Sequence, residues 1–149
     1  MQLSEYLDHD LFIYDLKGQD KSEVLHEMLK RLQEKNQELD LKKAHSILLE
    51  RENLGSTGIG DGVAIPHGKM EELKSIVVIV GRSEHGVDFA ALDTKPCHIF
   101  FLVLAPEDVA GLHLRILAQI SRLLKDPGFR RDFVEAEHSQ AFRELLESI

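Results

Sequence analysis

Apolar positions recur along this chain with two different periods, and the changes of period mark out its elements. Val24, Leu25, Met28, Leu29 and Leu32 fall on one helical face, behind a stretch, Asp20-Lys-Ser-Glu23, that has the form of a capping box. Asp40 can cap a second helix carrying Leu41, Ala44, Ile47 and Leu48, which ends near Asn53–Gly55. A short apolar run follows at Val63–Ile65. Ser75–Arg82 is dominated by β-branched residues and reads as a strand. Glu84-His-Gly86 reads as a tight turn into a brief strand at Val87–Phe89. Cys97–Ala105 is almost continuously apolar, the pattern of a central strand covered on both faces. A further helix is predicted from about Gly111 to Lys125, stopping before Asp126-Pro-Gly128. Two short amphipathic helices, near Phe129–Ala136 and Ser139–Ser148, close the chain.

Strands bracketed by helices in this order predict an α/β sandwich, a mixed sheet with helices on both faces. No repeat, low-complexity segment or Pro/Gly/Ser-rich linker divides it, so residues 1–149 are expected to form one domain. That length buries a full core without disulfides or metal. The single cysteine, Cys97, allows no internal disulfide and fits a reducing, cytoplasmic setting. Inside an apolar strand it reads as an inert thiol. The first residues, "MQLSEYLDHDLF", lack the basic and apolar regions of a secretory signal, and no apolar run approaches ~18 residues, so membrane insertion is not expected. The formal charge of −8 argues against nucleic acid or an anionic membrane as partner and would suit a basic protein.

Candidate chemistry gathers around three residues. His67 lies between Pro66, which fixes its own φ and favours extended geometry at Ile65, and Gly68, which permits a sharp exit. Its ring is therefore expected at a strand end, available as base, ligand or nucleophile; a loop histidine bonded to a carbonyl is the plainer reading of the same tripeptide. His113 begins a stripe continued by Leu117, Ile120 and Leu124, and reads either as a core-edge histidine or as a hydrogen-bond donor to developing charge. Arg51 ends the second helix, where it either complements the helix dipole or offers a planar fork to a phosphoryl group. The glycines at 58, 60 and 62 could let backbone N–H groups approach an anion, but match neither a P-loop nor a dinucleotide fingerprint. With no HExxH and no paired cysteines, a metal site is not expected. No Gly-x-Ser-x-Gly is present.

The stretch "RENLGSTGIGDGVAIPHGK" from Arg51 to Lys69 resembles the active-site signature of enzyme IIA proteins of the fructose/mannitol type in the bacterial phosphotransferase system. The likeness continues through "VDFAALDTKPCHIFFLVLAP" and "HLRILAQISRLL", and the wording around Leu54–Lys69 is most similar to the nitrogen-regulatory (PtsN-like, EIIA-Ntr) branch. The resemblance implies a mixed sheet flanked by helices. It implies His67 as phosphoryl acceptor through Nε2, His113 as assisting histidine, Arg51 as stabilising charge, and Thr57, Gly58 and Gly60 as a phosphoryl-binding loop. No cofactor is implied. The implied partners are an HPr/NPr-like phosphocarrier and either a separate IIB protein or regulatory targets. No IIB- or IIC-like segment is visible in the sequence, so transport itself is not expected of this chain. Two roles follow: a regulatory protein whose partners depend on phosphorylation, which the nitrogen-type wording favours, or a sugar-specific transferase intermediate.

Overall fold

The structure is a computed structural model and describes residues 2–149. In chain order it contains β1 (Phe12–Ile13), α1 (Lys21–Lys35), α2 (Leu41–Asn53), β2 (Gly58–Gly60), β3 (Val63–Ala64) and β4 (His67–Lys69). The long strands β5 (Val77–Val87) and β6 (Cys97–Ala105) follow, then α3 (Ala110–Leu123), α4 (Pro127–Glu135) and α5 (Ser139–Glu147). Single 3₁₀ turns lie at Leu3–Tyr6, His9–Leu11 and Glu107–Val109.

The apolar run Cys97–Ala105 becomes the axis of a six-stranded sheet in the order β1-β5-β6-β3-β2. On one side β6 pairs antiparallel with β5; on the other it pairs parallel with β3 and then with β4, two pieces of one path interrupted at Ile65–Pro66. Alternation along β6 divides the core. Phe100, Leu102 and Leu104 pack with Val24, Leu25, Met28 and Leu29 of α1 and with Ala44 and Leu48 of α2. Ile99, Phe101, Val103 and Ala105 pack with Ile116 and Ile120 of α3, Phe133 of α4, and Phe142 and Leu146 of α5. Helices thus cover both faces, as the apolar pattern predicts, and no described helix is long and apolar enough to cross a membrane.

Helix starts follow the sequence closely. Asp20, Asp40 and Asp126 each accept a backbone N–H from the first turn they cap. Glu23 reaches back to Gln19 N, one residue earlier than an ideal capping box requires.

One expectation is corrected. Glu84-His-Gly86 is not a turn between two strands; β5 runs through it to Val87. The register slips from Arg82↔Ile99 to Val87↔Cys97, so three extra residues are accommodated as an irregularity in the ladder. Ser83 holds this bulge by accepting Gly86 N–H on its hydroxyl and His98 Nδ1–H on its carbonyl. The sheet is mixed because β1 pairs parallel with β5, and β3 and β4 pair parallel with β6, whereas β5–β6 and β2–β3 are antiparallel.

The C-terminal helices are fastened to β1 by the buried Arg82. Its guanidinium donates to Val134 O at 2.8 and 3.0 Å and lies 4.5 Å from the Tyr14 ring centre, while the Tyr14 hydroxyl donates to Ala136 O at 2.5 Å. The two ends of the described stretch lie together. Gln2, Leu3 and Ile149 line one cavity, and Leu3 N–H donates to Gln119 Oε1 of α3 at 2.7 Å.

Candidate functional site

At the C-terminal half of β6, β4 is the outermost strand, and its three residues face alternately to the two sides of the sheet. His67 and Lys69 stand opposite Val103 and Ala105, on the α3 face; Gly68 stands opposite Leu104, on the α2 face. The glycine is required by packing. A Cβ there would lie 2.8 Å from Ile47 Cγ2 and 3.5 Å from Leu48 Cδ2, so its absence allows α2 to lie directly against the strand. The end of α2 then reaches round the sheet edge, and Ile47, Glu50, Arg51 and Leu54 join His67, Gly68, Lys69 and His113 in the wall of a cavity of about 470 Å³. Gly68→Ala is expected to cost about 1–2 kcal/mol by overpacking and to slow any chemistry that needs Arg51 beside His67. Chemical denaturation reads the first effect, and adding Ile47→Ala, which removes the opposing methyl, should restore both.

His67 is half-buried, and its Nδ1 lies 2.9 Å from the Ile65 carbonyl oxygen. A carbonyl only accepts, so Nδ1 carries the proton and Nε2 keeps its lone pair. The bond spans two residues across the Pro66 bend, and Pro66 O in turn accepts Val103 N–H of β6, which holds the bend to the sheet. The plainer reading of the tripeptide, a histidine bonded to a carbonyl, thus describes His67, and that bond leaves Nε2 with its lone pair.

His113, in the first turn of α3, faces His67 edge-on with ring centres 5.9 Å apart. It is 4 % exposed, and its Nε2 is buried with no hydrogen-bond partner among the described residues. Burial, reinforced by His67 and Lys69 beside it, holds this imidazole below its ordinary pKa, so the ring is neutral at physiological pH. A buried nitrogen with no partner costs free energy.

Arg51 donates to Gly55 O at 2.9 Å, closing the turn after α2. Its neighbour Glu52 is buried and anchors that turn. Lys21 Nζ lies 3.0 Å from Oε1, Thr57 N–H donates to the same oxygen at 3.1 Å, and the Thr57 hydroxyl donates to Oε2. Sequence reading passed over Glu52, because a glutamate near a helix end is ordinary until its burial is seen. Glu52→Ala should lower stability by about 2 kcal/mol, leaving Lys21 and Thr57 without their acceptor, and a thermal melt should fall by roughly 4–8 °C.

Thr57, Gly58 and Gly60 lie elsewhere. The N–H and hydroxyl of Thr57 go to Glu52, its carbonyl accepts Ile65 N–H, and Gly58 N–H donates to Ser56 Oγ. Gly60 and Gly62, both at positive φ with Asp61 between them, make the left-handed turn from β2 to β3. These residues support the strand behind His67 and do not line its cavity. Lys69 does line it, and sequence reading passed over it. The two-residue spacing from His67 along a strand was the available signal.

Among the described residues one metal-like group stands out, Asp8, His9 and Asp10, but it is on the surface and Lys35 pairs with both aspartates. Cys97 is buried, and its thiol is pushed up to about 11 by that burial.

Residues 5–149 match the family model for the phosphoenolpyruvate-dependent sugar phosphotransferase system, EIIA 2. A nitrogen regulatory protein of Bradyrhizobium diazoefficiens is 33 % identical over 146 residues, 98 % of this chain and 95 % of that protein. The PTS system fructose-specific EIIABC component of Bacillus subtilis is 32 % identical over 146 residues; the chain spans only 23 % of its length. The crystal structure of nitrogen regulatory protein IIA-Ntr from Neisseria meningitidis superimposes with a TM-score of 0.88 at 29 % identity, covering 97 % of this chain and 98 % of that one.

Proposed function

Since the chain belongs to the EIIA type-2 family of the phosphoenolpyruvate-dependent sugar phosphotransferase system, we propose that it is a phosphohistidine relay protein in which His67 takes a phosphoryl group from an HPr/NPr-like carrier. The observation that carries this reading is the pairing of two imidazole nitrogens. Nε2 of His67 is left with a lone pair by the bond at Nδ1, and Nε2 of the buried His113, which lines the same cavity, has no partner among the described residues.

In the transfer, the Nε2 lone pair of His67 attacks phosphorus on the carrier's phosphohistidine. The carrier's P–N bond breaks and its electron pair returns to the leaving imidazole. The His67 ring gains positive character as the new bond forms, and the Nδ1–H donation to Ile65 O stabilises it. Such a transition state is loose, so the protein contributes mainly alignment and compensation of charge on the three equatorial oxygens. Arg51 offers a planar donor fork from α2, and neutral His113 offers a donor from α3 when its proton is on Nε2. Thr57, Gly58 and Gly60 act at one remove, fixing the turn after Arg51 and the strand before His67. No metal or cofactor is called for.

The finer role is regulatory: phosphorylation adds negative charge in the cavity that His67 lines and changes which targets the surface around it holds. The likeness to IIA-Ntr across nearly the whole chain supports this role. The fructose-specific relative, at similar identity, supports a second reading, in which the phosphoryl group passes to a separate IIB protein in sugar uptake. Either role belongs in the cytoplasm. Incubation with phosphoenolpyruvate, enzyme I and an HPr-type carrier should add one acid-labile phosphoryl group by intact mass. No gain with any competent carrier would overturn the relay. Offering the phosphorylated chain to a fructose-type IIB domain then separates the roles, since rapid loss of the group favours sugar uptake and retention favours regulation.

A further inference from the structure

We infer that Lys69 is a third donor to the phosphoryl group on His67, beside Arg51 and His113, and that its ammonium sets how strongly the chain retains that group against its carrier. The inference rests on His67 being the phosphoryl acceptor.

Strand geometry makes the first argument. His67 and Lys69 are two apart on β4, project to the same face, and line the same cavity. Their Cα atoms are therefore about 6–7 Å apart, a distance that a flexible four-carbon stem can cover. Lys69 is the last residue of β4, and it is exposed.

Second, nothing in the described structure occupies this ammonium. Lys17, Lys21, Lys35 and Lys43 are each paired with a carboxylate. The Lys69 side chain is exposed and makes no ion pair or hydrogen bond among the described residues, in a chain carrying 26 acidic residues against 18 basic ones. Its charge is nevertheless felt within the site, where it helps to hold His113 neutral.

Third, the count of donors fits the ligand. A phosphoryl group on nitrogen has three peripheral oxygens. Arg51 approaches from α2 and His113 from α3, and Lys69 supplies a third donor from the strand itself. A lysine here acts as a mobile point charge. It can stay in water while the site is empty and turn inward once a dianion is present.

The test uses Lys69→Met, which keeps the stem and removes the charge, beside Lys69→Arg. With purified carrier and enzyme I, the ratio of phosphorylated chain to phosphorylated carrier at equilibrium should fall about tenfold in Lys69→Met, the loss of one charge-assisted contact, and Lys69→Arg should recover most of it. In the unphosphorylated Lys69→Met protein, the NMR titration midpoint of His113 should rise, because a neighbouring positive charge has gone. Loss in the methionine variant with recovery in the arginine variant supports the inference. If wild type is phosphorylated on His67 and Lys69→Met shows the same partition and the same His113 midpoint, Lys69 has no such role and the relay stands. If wild type takes no phosphoryl group, both readings fall together.

Discussion

The His67→Ala protein is expected to gain no phosphoryl group under conditions that load wild type completely, while melting within about 1 kcal/mol of it. The two halves of this expectation come from different parts of the site. The ring is half-buried and tied to the protein through a single bond to Ile65 O, and the net worth of such a bond is about 1 kcal/mol. The backbone of β4 keeps its pairing with β6 whatever side chain it carries. The chemistry has no substitute. His113 Nε2 is buried behind the His67 ring, and loss of that ring leaves no nucleophile at the cavity mouth. Intact mass before and after acid treatment, with a circular dichroism melt, reads both. An acid-labile gain surviving in His67→Ala would move the acceptor role to another histidine.

His113→Ala should slow transfer about a hundredfold without abolishing it, the loss of one preorganised donor worth ~3 kcal/mol. The same substitution should alter how stability depends on pH, and the direction follows from the depressed pKa. In the unfolded chain the imidazole titrates near 6.5; in the folded chain burial depresses its pKa. Between those values the unfolded state binds the proton and the folded state does not. Wild type therefore loses stability as pH falls below about 6.5, until the folded-state value is passed. The alanine variant lacks this increment, so the two denaturation midpoints should converge or diverge only within that acidic window and run parallel above it. Rapid-quench transfer rates give the first effect and urea midpoints at a series of pH values the second. Equal transfer rates for variant and wild type would remove His113 from the chemistry.

The parts of this molecule that were legible in its sequence are those fixed by short-range rules. Capping aspartates and helical stripes located the helices, because each signal lies within one turn of what it specifies. The unbroken apolar run of Cys97–Ala105 identified a strand covered twice. Glu84-His-Gly86 misled because its residues favour a turn, whereas the antiparallel partner strand and Ser83 absorb them as a bulge. The catalytic candidates were separable from their plainer readings only through resemblance or through the fold. Pro66 and Gly68 mark His67, but the glycine's contact with Ile47 depends on where α2 packs. Glu52 and Lys69 carry no local signal of importance. The first matters because it is buried against Lys21 and Thr57, the second because strand alternation turns it to the side of His67.

The meeting of Gln2, Leu3 and Ile149 around one cavity bears on what the chain's connectivity contributes. With residues 2 and 149 adjacent, the described stretch follows a nearly closed path, and the order of its elements along the chain is only one of several cuts through the same loop. Arg51, His67, Lys69 and His113 are brought together by pairing with β6 and by helices packed on its two faces. None of these relations needs residue 2 to be near the beginning. The arrangement is thus encoded in which elements touch, and a chain with its ends joined and a new opening made in an exposed turn carries the same instructions in a different reading order.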